Sequence, residues 1–241
     1  MVTSQIRFTG YKPRPAFVTC QVCYAGYMQK VSGTASAALR HDLSTYAWVG
    51  GHVAVDFANT LSGAKTDHPS SHLQSYQDLL EWAQQADLIG PIGRKNLSAG
   101  SPQAQAAAYQ EALALNLSLR AVFRAAARHE VLPQEALDHL NALVQKTAAW
   151  RRIAACDDEG RKVSCGWDFQ DAAPIAVLGP VVWRAVELLE HGPLDRVKEC
   201  GSDDCGWMFL DTSKNRSRQW CSMQTCGNVS KVRRFRERKT S

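Results

Sequence analysis

Four of the eight cysteines lie close together near the carboxyl end of the chain. Cys200 and Cys205 form one short pair, and Cys221 and Cys226 form another after fifteen residues. Two short loops joined by a longer segment can bring four thiolates to the corners of a tetrahedron, as a structural Zn²⁺ site requires. The four residues inside each pair fall within the range of about two to four that zinc sites use. We therefore predict one structural zinc ion bound by these four cysteines.

Two disulfides, or four unconnected buried thiols, are the alternatives to a metal site. Eight cysteines in 241 residues are too sparse for a disulfide scaffold, and an apolar content of 45% is enough for an ordinary core. No apolar stretch resembles a signal peptide or a membrane span. The sequence therefore predicts a reducing, cytoplasmic setting with no membrane segment.

Positive charge is concentrated beside these cysteines. The last 31 residues carry nine Lys or Arg against two acidic residues, a balance of +7, whereas the whole chain carries +5. A nearly neutral body with a cationic tip is typical of a contact with nucleic acid, although a solvated charge run is the alternative. The candidate nucleic-acid-binding residues are Lys214, Arg216, Arg218, Lys231, Arg233, Arg234, Arg236, Arg238 and Lys239.

The last of these cations lie on a predicted terminal helix over Val229 to Lys239, with Asn228 as its N-cap. We expect Val232 and Phe235, three residues apart, to pack inward and the cations to face outward. Trp207 and Trp220 are expected to pack over the metal core, and stacking on bases is the alternative.

The chain before the cysteines is predicted to form a mainly helical domain. Residues 1 to about 45 lack apolar periodicity, and we expect a poorly ordered extension or a mis-annotated start, with Met28 as a candidate true start. Apolar residues then recur at helical spacing from Leu73 to about Ala86, and further helices are predicted over Pro102 to Val131, after Pro133, and over Pro174 to His191. The arginines at 120, 124 and 128 are expected to form a solvated helix face.

A β-hairpin is predicted between these helices, over residues 151 to 169. A turn centred on residues 158 to 160 pairs position 156 with position 162, so Cys156 and Cys165 are offset across the ladder. We expect them to be small buried residues rather than a disulfide or a metal pair.

Three polar residues end an apolar segment near the start of the predicted domain: Asp56, Asn59 and Thr60. They are candidate ligand-binding residues, and capping or turn formation explains them equally well. The common catalytic signatures are absent, so we predict that the protein is not an enzyme.

The segment from Cys205 to Asn228 closely resembles the CGNR zinc finger, because FLDTS (209–213), RSRQWC (216–221) and CGN (226–228) occur in order. The run from Val53 to Thr60 resembles the opening of the ABATE domain that accompanies this finger. Together the resemblance covers residues from about 48 to 241. One departure is Val229, where the family motif has Arg.

The resemblance implies a stress-linked bacterial transcription regulator in which all four clustered cysteines bind zinc. We therefore expect an extension over 1–45, an ABATE-like helical domain over 46–193 and, over 194–241, a small zinc-ribbon-like module that ends in a basic helix. DNA is the expected partner of the module, and the helical domain is expected to sense a small molecule or protein effector. A homodimer is expected by analogy with other regulators.

Two other classes of function remain open at this point. The first is an adaptor whose zinc module binds RNA or protein. The second is an enzyme in the helical domain that uses the zinc finger as a docking element.

Overall fold

The computed structural model describes residue 43 and residues 46–66, 69–155 and 162–240, so most of the expected extension over 1–45 lies outside the described residues. Helices dominate the described chain, which confirms the mainly α prediction. The α-helices are α1 Val53–Ala58, α2 Tyr76–Gln85, α3 Pro91–Ser98, α4 Pro102–Ala127, α5 Gln134–Thr147, α6 Leu178–His191 and α7 Asn228–Thr240. The strands are β1 Leu61–Ser62, β2 Ser70–Ser71, β3 Arg151–Ala155, β4 Val163–Trp167, β5 Val197–Glu199 and β6 Met208–Leu210. Among the described helices, none has the length and apolar character to cross a membrane.

The short helix α1 lies at the centre of the core. All six of its residues are buried, and it packs against α4, α6 and β6. Five of its six residues are apolar and the sixth is Asp56, and a helix that is hydrophobic on nearly all sides is stable only when it is surrounded in this way. His52 caps its first turn, accepting a hydrogen bond from the amide of Ala54 at Nδ1. Burial, assisted by nearby Arg184, lowers the pKa of His52 to about 3, so the ring stays neutral and able to accept.

The predicted helices form where hydrophobic periodicity and capping residues agree. Ser75 caps α2 and Ser101 caps α4, each accepting an amide three residues on. No helix is predicted over α3 from the sequence, because Gly90-Pro91 follows a periodic apolar segment and is typical of the end of a helix. Proline also suits the first turn of a new helix, where its missing N–H has no intrahelical partner to lose, and Pro91 is the first residue of α3.

The predicted hairpin is present as the antiparallel pair β3–β4. Ile153 lies opposite Cys165 and Ala155 lies opposite Val163, which is the predicted register. Cys165 is exposed, so the expectation that it is buried is wrong. The hairpin contacts the body near its base, where Trp167 packs against Trp183 of α6.

A polar network joins α4 and α5 at the surface. The His139 ring lies 2.9 Å from Glu111 Oε1 through Nε2 and 2.7 Å from Ser118 Oγ through Nδ1. Lys146 Nζ lies 3.5 Å from the other Glu111 oxygen. The hydrogen bond from His139 lowers the pKa of Glu111, with burial opposing and Lys146 assisting.

This network predicts a modest loss of stability in acid. Because the folded pKa of Glu111 lies below its unfolded value of about 4.3, the contribution is complete above that pH and is lost as the pH falls through the folded pKa. Urea unfolding at pH values from 7 to 3 should therefore show that the free energy of unfolding falls more steeply with decreasing pH for the native chain than for Glu111→Gln. The difference should stay below about 1 kcal/mol, as for other exposed pairs. Glu130→Gln, at an exposed helix-end position, is the control, and equal pH slopes for native chain and Glu111→Gln would contradict the prediction.

Candidate metal centre and basic helix

Two different local structures position the two cysteine pairs. Strands β5 and β6 pair antiparallel, with Val197 opposite Leu210, and Cys200 follows β5 directly. The amide of Cys200 donates to the carbonyl of Trp207 at 2.7 Å, which closes the loop that carries Cys205. Cys226 lies in a single π-helical turn, Met223–Gly227, that runs without a break into α7. The second pair therefore fixes the beginning of the basic helix.

The four sulfur atoms form a compact cluster. Cys221 Sγ lies 3.6 Å from Cys205 Sγ and 3.6 Å from Cys226 Sγ, and all four sulfurs lie within 4.8 Å of one another. Tetrahedral Zn²⁺ with Zn–S bonds of about 2.3 Å separates its sulfurs by about 3.8 Å. Cys200 and Cys221 are buried, and the other two are half-buried. The predicted ligand set thus converges, and its geometry fits one structural zinc ion.

Without a cation the four sulfurs compete for protons. Hydrogen bonds from Cys205 and Cys221 lower the pKa of Cys200, and the same bonds raise the pKa of Cys205 and of Cys221. Only part of the cluster can then be thiolate. Zinc coordination by four sulfurs requires all of them as thiolates, so metal binding releases protons and weakens in acid.

Asp211 supports the loop between the two pairs. Its carboxylate is buried and accepts hydrogen bonds from Lys198 Nζ at 2.6 Å, from the amide and hydroxyl of Ser213, and from the amide of Arg218. Burial alone would raise the pKa of Asp211, but the bonds from Lys198 and Ser213 outweigh it and hold the pKa well below its usual range. Asp211, the acidic residue of the FLDTS stretch, therefore stabilises the conformation of the zinc loop.

Arg218, another candidate nucleic-acid-binding residue, is half-buried within the module. Its guanidinium stacks 4.1 Å from the centre of the Phe209 ring and donates to the carbonyls of Val49, Trp220 and Cys221. Burial lowers the pKa of Arg218, although nearby acidic groups oppose the shift. With its hydrogen-bonding groups turned to these carbonyls, Arg218 supports the metal centre instead of presenting charge outward.

Aromatic side chains cover the metal centre. Phe209 is fully buried beside Cys200 and Cys221, and Trp207 and Trp220 pack against this small cluster. Trp207 Nε1 also donates to Ser62 Oγ at 3.1 Å. Packing over the metal core, rather than base stacking, therefore explains both tryptophans.

The other candidate cations with described side chains are exposed. Lys214 and Arg216 lie on the zinc loop, where Arg216 pairs with Asp195 at 2.6 Å. Lys231, Arg233, Arg236, Arg238 and Lys239 are exposed along α7, and Arg234 lies in the same helix. Arg233 Nη1 lies 2.7 Å from Asp203. An open cleft of about 670 Å³ separates this side of α7 from the end of α4.

Two expectations about α7 are wrong. Val232 and Phe235 are 49% and 60% exposed, because the helix extends beyond the module and none of the residues that the structure describes covers them. Asn228 is already helical, and its side-chain amide donates to the carbonyl of Gln224 instead of capping the helix. The preceding π turn continues into α7, so the start of the helix is set by the metal loop. Val229, at the position of the family arginine, is exposed on the first turn.

The three candidate ligand-binding residues are buried and bonded to protein groups. Asp56 Oδ1 accepts from the amide of Gly50 at 2.8 Å. Thr60 Oγ1 donates to the carbonyl of Phe57 and accepts from Asn116. Asn59 pairs with both backbone groups of Met208 in β6, each at 2.8 Å. Asn59 thus joins α1 to the zinc module, whereas the bonds of Asp56 and Thr60 lie within the helical body. All three side chains are at most 1% exposed, so they do not line an open ligand pocket.

The arginines at 120, 124 and 128 all approach the zinc module. The predicted solvated face is wrong for Arg120, which is buried, whereas Arg128 is exposed and Arg124 is half-exposed. Arg120 is 5% exposed and donates to the carbonyls of Ala58 and Gly206. Gly206 has φ +70, and a Cβ there would lie 3.4 Å from Arg120 Nη2, so a side chain at this position would be strained and crowded. Arg124 and Arg128 approach one carboxylate, that of Glu199 in β5, at 3.4 and 3.7 Å. Sequence reasoning missed this junction because its partners lie more than 70 residues apart.

The comparisons agree with this architecture. A family model named ABATE, with the description "Putative stress-induced transcription regulator", matches residues 51–192. A second, described as the CGNR zinc finger, matches residues 196–239. A search of curated proteins found no match.

Proposed function

The chain belongs to the ABATE family, whose model matches more than half of it, and on this premise we propose that it is a transcription regulator that binds duplex DNA through α7. The four-cysteine centre is the structural part of this proposal, because it holds the first turn of α7 in place. The same segment matches the CGNR zinc finger.

The exposed positive charge of α7 is the observation that supports this proposal. Every described side chain from Lys231 to Lys239 is exposed, and Glu237 is the one acidic residue in that range. A helix of 13 residues with so few tertiary contacts is marginal in water by itself, so a partner that packs along it would stabilise it. The phosphates of duplex DNA supply the opposite charge over a comparable length.

The helical body is the sensing part of the proposal. It contacts the zinc module through Asn59, Arg120 and Arg124, so a change in the position of α1 or α4 would move the module. A small-molecule or protein effector that shifts these helices would thereby alter the orientation of α7. The support for this role is the continuity of the junction.

The proposal predicts a steep salt dependence. Contact of five exposed cations, Lys214, Lys231, Arg236, Arg238 and Lys239, with phosphates gives a slope of log affinity against log salt of about −4.5. Replacing Lys231, Arg236 and Arg238 by Ala should reduce the slope to about −2. Val229→Arg should make the slope steeper by about 0.9, because position 229 is exposed and lies two helical turns before Arg236 on the same side of α7. Fluorescence anisotropy of zinc-loaded protein on labelled duplex DNA measures these slopes.

Lys95→Ala is the matched control, since Lys95 is an exposed lysine on α3, more than 100 residues before the first ligand cysteine. Its slope should equal that of the native chain. Affinity that does not change with salt, or that survives the triple substitution unchanged, would remove DNA from the proposal.

A further inference from the structure

The outer face of α7 combines apolar and cationic side chains in an ordered way. Val232, Phe235 and Lys239 are spaced three and four residues apart and so share one face of the helix. Lys239 Nζ lies 4.9 Å from the centre of the Phe235 ring, which confirms that these side chains are neighbours. Lys231 and Arg238 flank the stripe on one side, and Val229 and Arg236 flank it on the other. The opposite face carries Arg233 and Glu237, which line the cleft toward the module.

Among the described residues, nothing covers this apolar stripe. Phe235 is 60% exposed and Val232 is 49% exposed, between cations on both sides. A second copy of α7 could cover the stripe only by bringing two sets of like charges together, which is unfavourable. The occupant must therefore be anionic on both flanks and apolar along the middle.

The major groove of B-DNA has this arrangement. It is about 12 Å wide, which admits an α-helix of about 10–12 Å diameter, and phosphates line both of its edges. The apolar group on its floor is the C5-methyl of thymine. The major groove of A-form RNA is deep and narrow and excludes a helix, which favours DNA over RNA. Two or three apolar residues in 13 also form too narrow a stripe for a helix that lies in a membrane surface.

We infer that α7 lies in the major groove and that Val232 and Phe235 contact thymine methyl groups, so the protein prefers A·T-rich duplexes. This inference rests on the proposed function and adds the chemical group that the helix recognises. The flanking residues Lys231, Arg236 and Arg238 then contact phosphates at the two edges of the groove. Arg233 stays on the module side with Asp203.

Uracil tests this inference, because it lacks only the C5-methyl of thymine. The native protein should bind alternating poly(dA-dT) duplex more tightly than alternating poly(dA-dU), by about fourfold for each methyl group buried. The double variant Val232→Ala with Phe235→Ala should bind both duplexes equally, with an unchanged salt slope. Alanine favours helix more than valine or phenylalanine does, so loss of the helix would not explain that result. Val131→Ala, which removes another exposed apolar side chain, should keep the native preference.

The outcomes separate this inference from the proposed function. Salt-dependent binding with equal affinity for the two duplexes would overturn the inference and leave DNA binding standing. Absence of salt-dependent DNA binding would overturn both. Tighter binding to poly(rA)·poly(rU), or to vesicles rich in anionic lipid, with dependence on Phe235, would assign the stripe to another partner and also overturn the inference.

Discussion

Replacing Cys221 by Ser is expected to abolish zinc binding, unfold the zinc module and eliminate DNA binding. Cys221 is 3% exposed, and its sulfur is 3.6 Å from two of the other ligand sulfurs. The buried apolar cluster beside the metal is small, with Phe209 as its one large fully buried side chain among the described residues. Zinc contributes about 10–16 kcal/mol to the folding of modules of this kind, and a cluster of this size cannot replace it.

Elemental analysis should find one zinc per native chain and almost none in Cys221→Ser. Far-UV circular dichroism should show a small loss of helix, because α7 disappears while the longer helices of the body remain. Cys165→Ser is the matched control, since Cys165 is exposed on the hairpin and should keep both the metal and the fold. Treatment of the native chain with excess chelator should reproduce the Cys221→Ser result. A module that keeps its shape in chelator would contradict the assignment of a structural metal.

Replacing Asn59 by Ala should lower the free energy of unfolding by about 2–5 kcal/mol. The substitution leaves the buried N–H and C=O of Met208 without partners, and each unsatisfied group costs about 1–3 kcal/mol. Asn59→Asp should cost more, because it places a carboxylate oxygen against the carbonyl of Met208. Denaturant unfolding of the zinc-loaded chain measures the effect.

The result also separates a structural role for Asn59 from a ligand-binding role. Asn141→Ala, an exposed amide on α5, is the control and should change stability by less than about 0.5 kcal/mol. If Asn59→Ala behaved like the control, the pairing with Met208 would not stabilise the protein, and a role for Asn59 in binding a ligand would regain support.

The sequence was sufficient for features that depend on neighbouring residues. The metal site could be predicted from the spacing of its four cysteines, because short loops restrict where their sulfurs can lie. Apolar periodicity and helix propensity likewise indicated α2 and α4, and the structure adds that Ser75 and Ser101 cap them.

Contacts between residues that are far apart in the sequence could not be predicted from it. Asn59 and Met208 are separated by 149 positions, and no local pattern indicates that a polar residue after an apolar run pairs with a strand. Periodicity likewise placed Val232 and Phe235 on one face of α7 without showing whether protein lies opposite that face. The exposed stripe became apparent only from the position of the helix beyond the module.

The contacts between body and module mostly end on main-chain atoms. Asn59 binds the backbone of Met208, Arg120 the carbonyl of Gly206, Lys65 the carbonyls of Cys200 and Ser202, and Arg218 the carbonyl of Val49. Among the finger's own side chains, this attachment uses the carboxylate of Glu199, the indole of Trp207 and the guanidinium of Arg218, and it requires glycine at 206. Chimaeras that receive a relative's finger with these residues should therefore assemble normally, so the exposed face of α7 can diverge during evolution while the mode of attachment is retained.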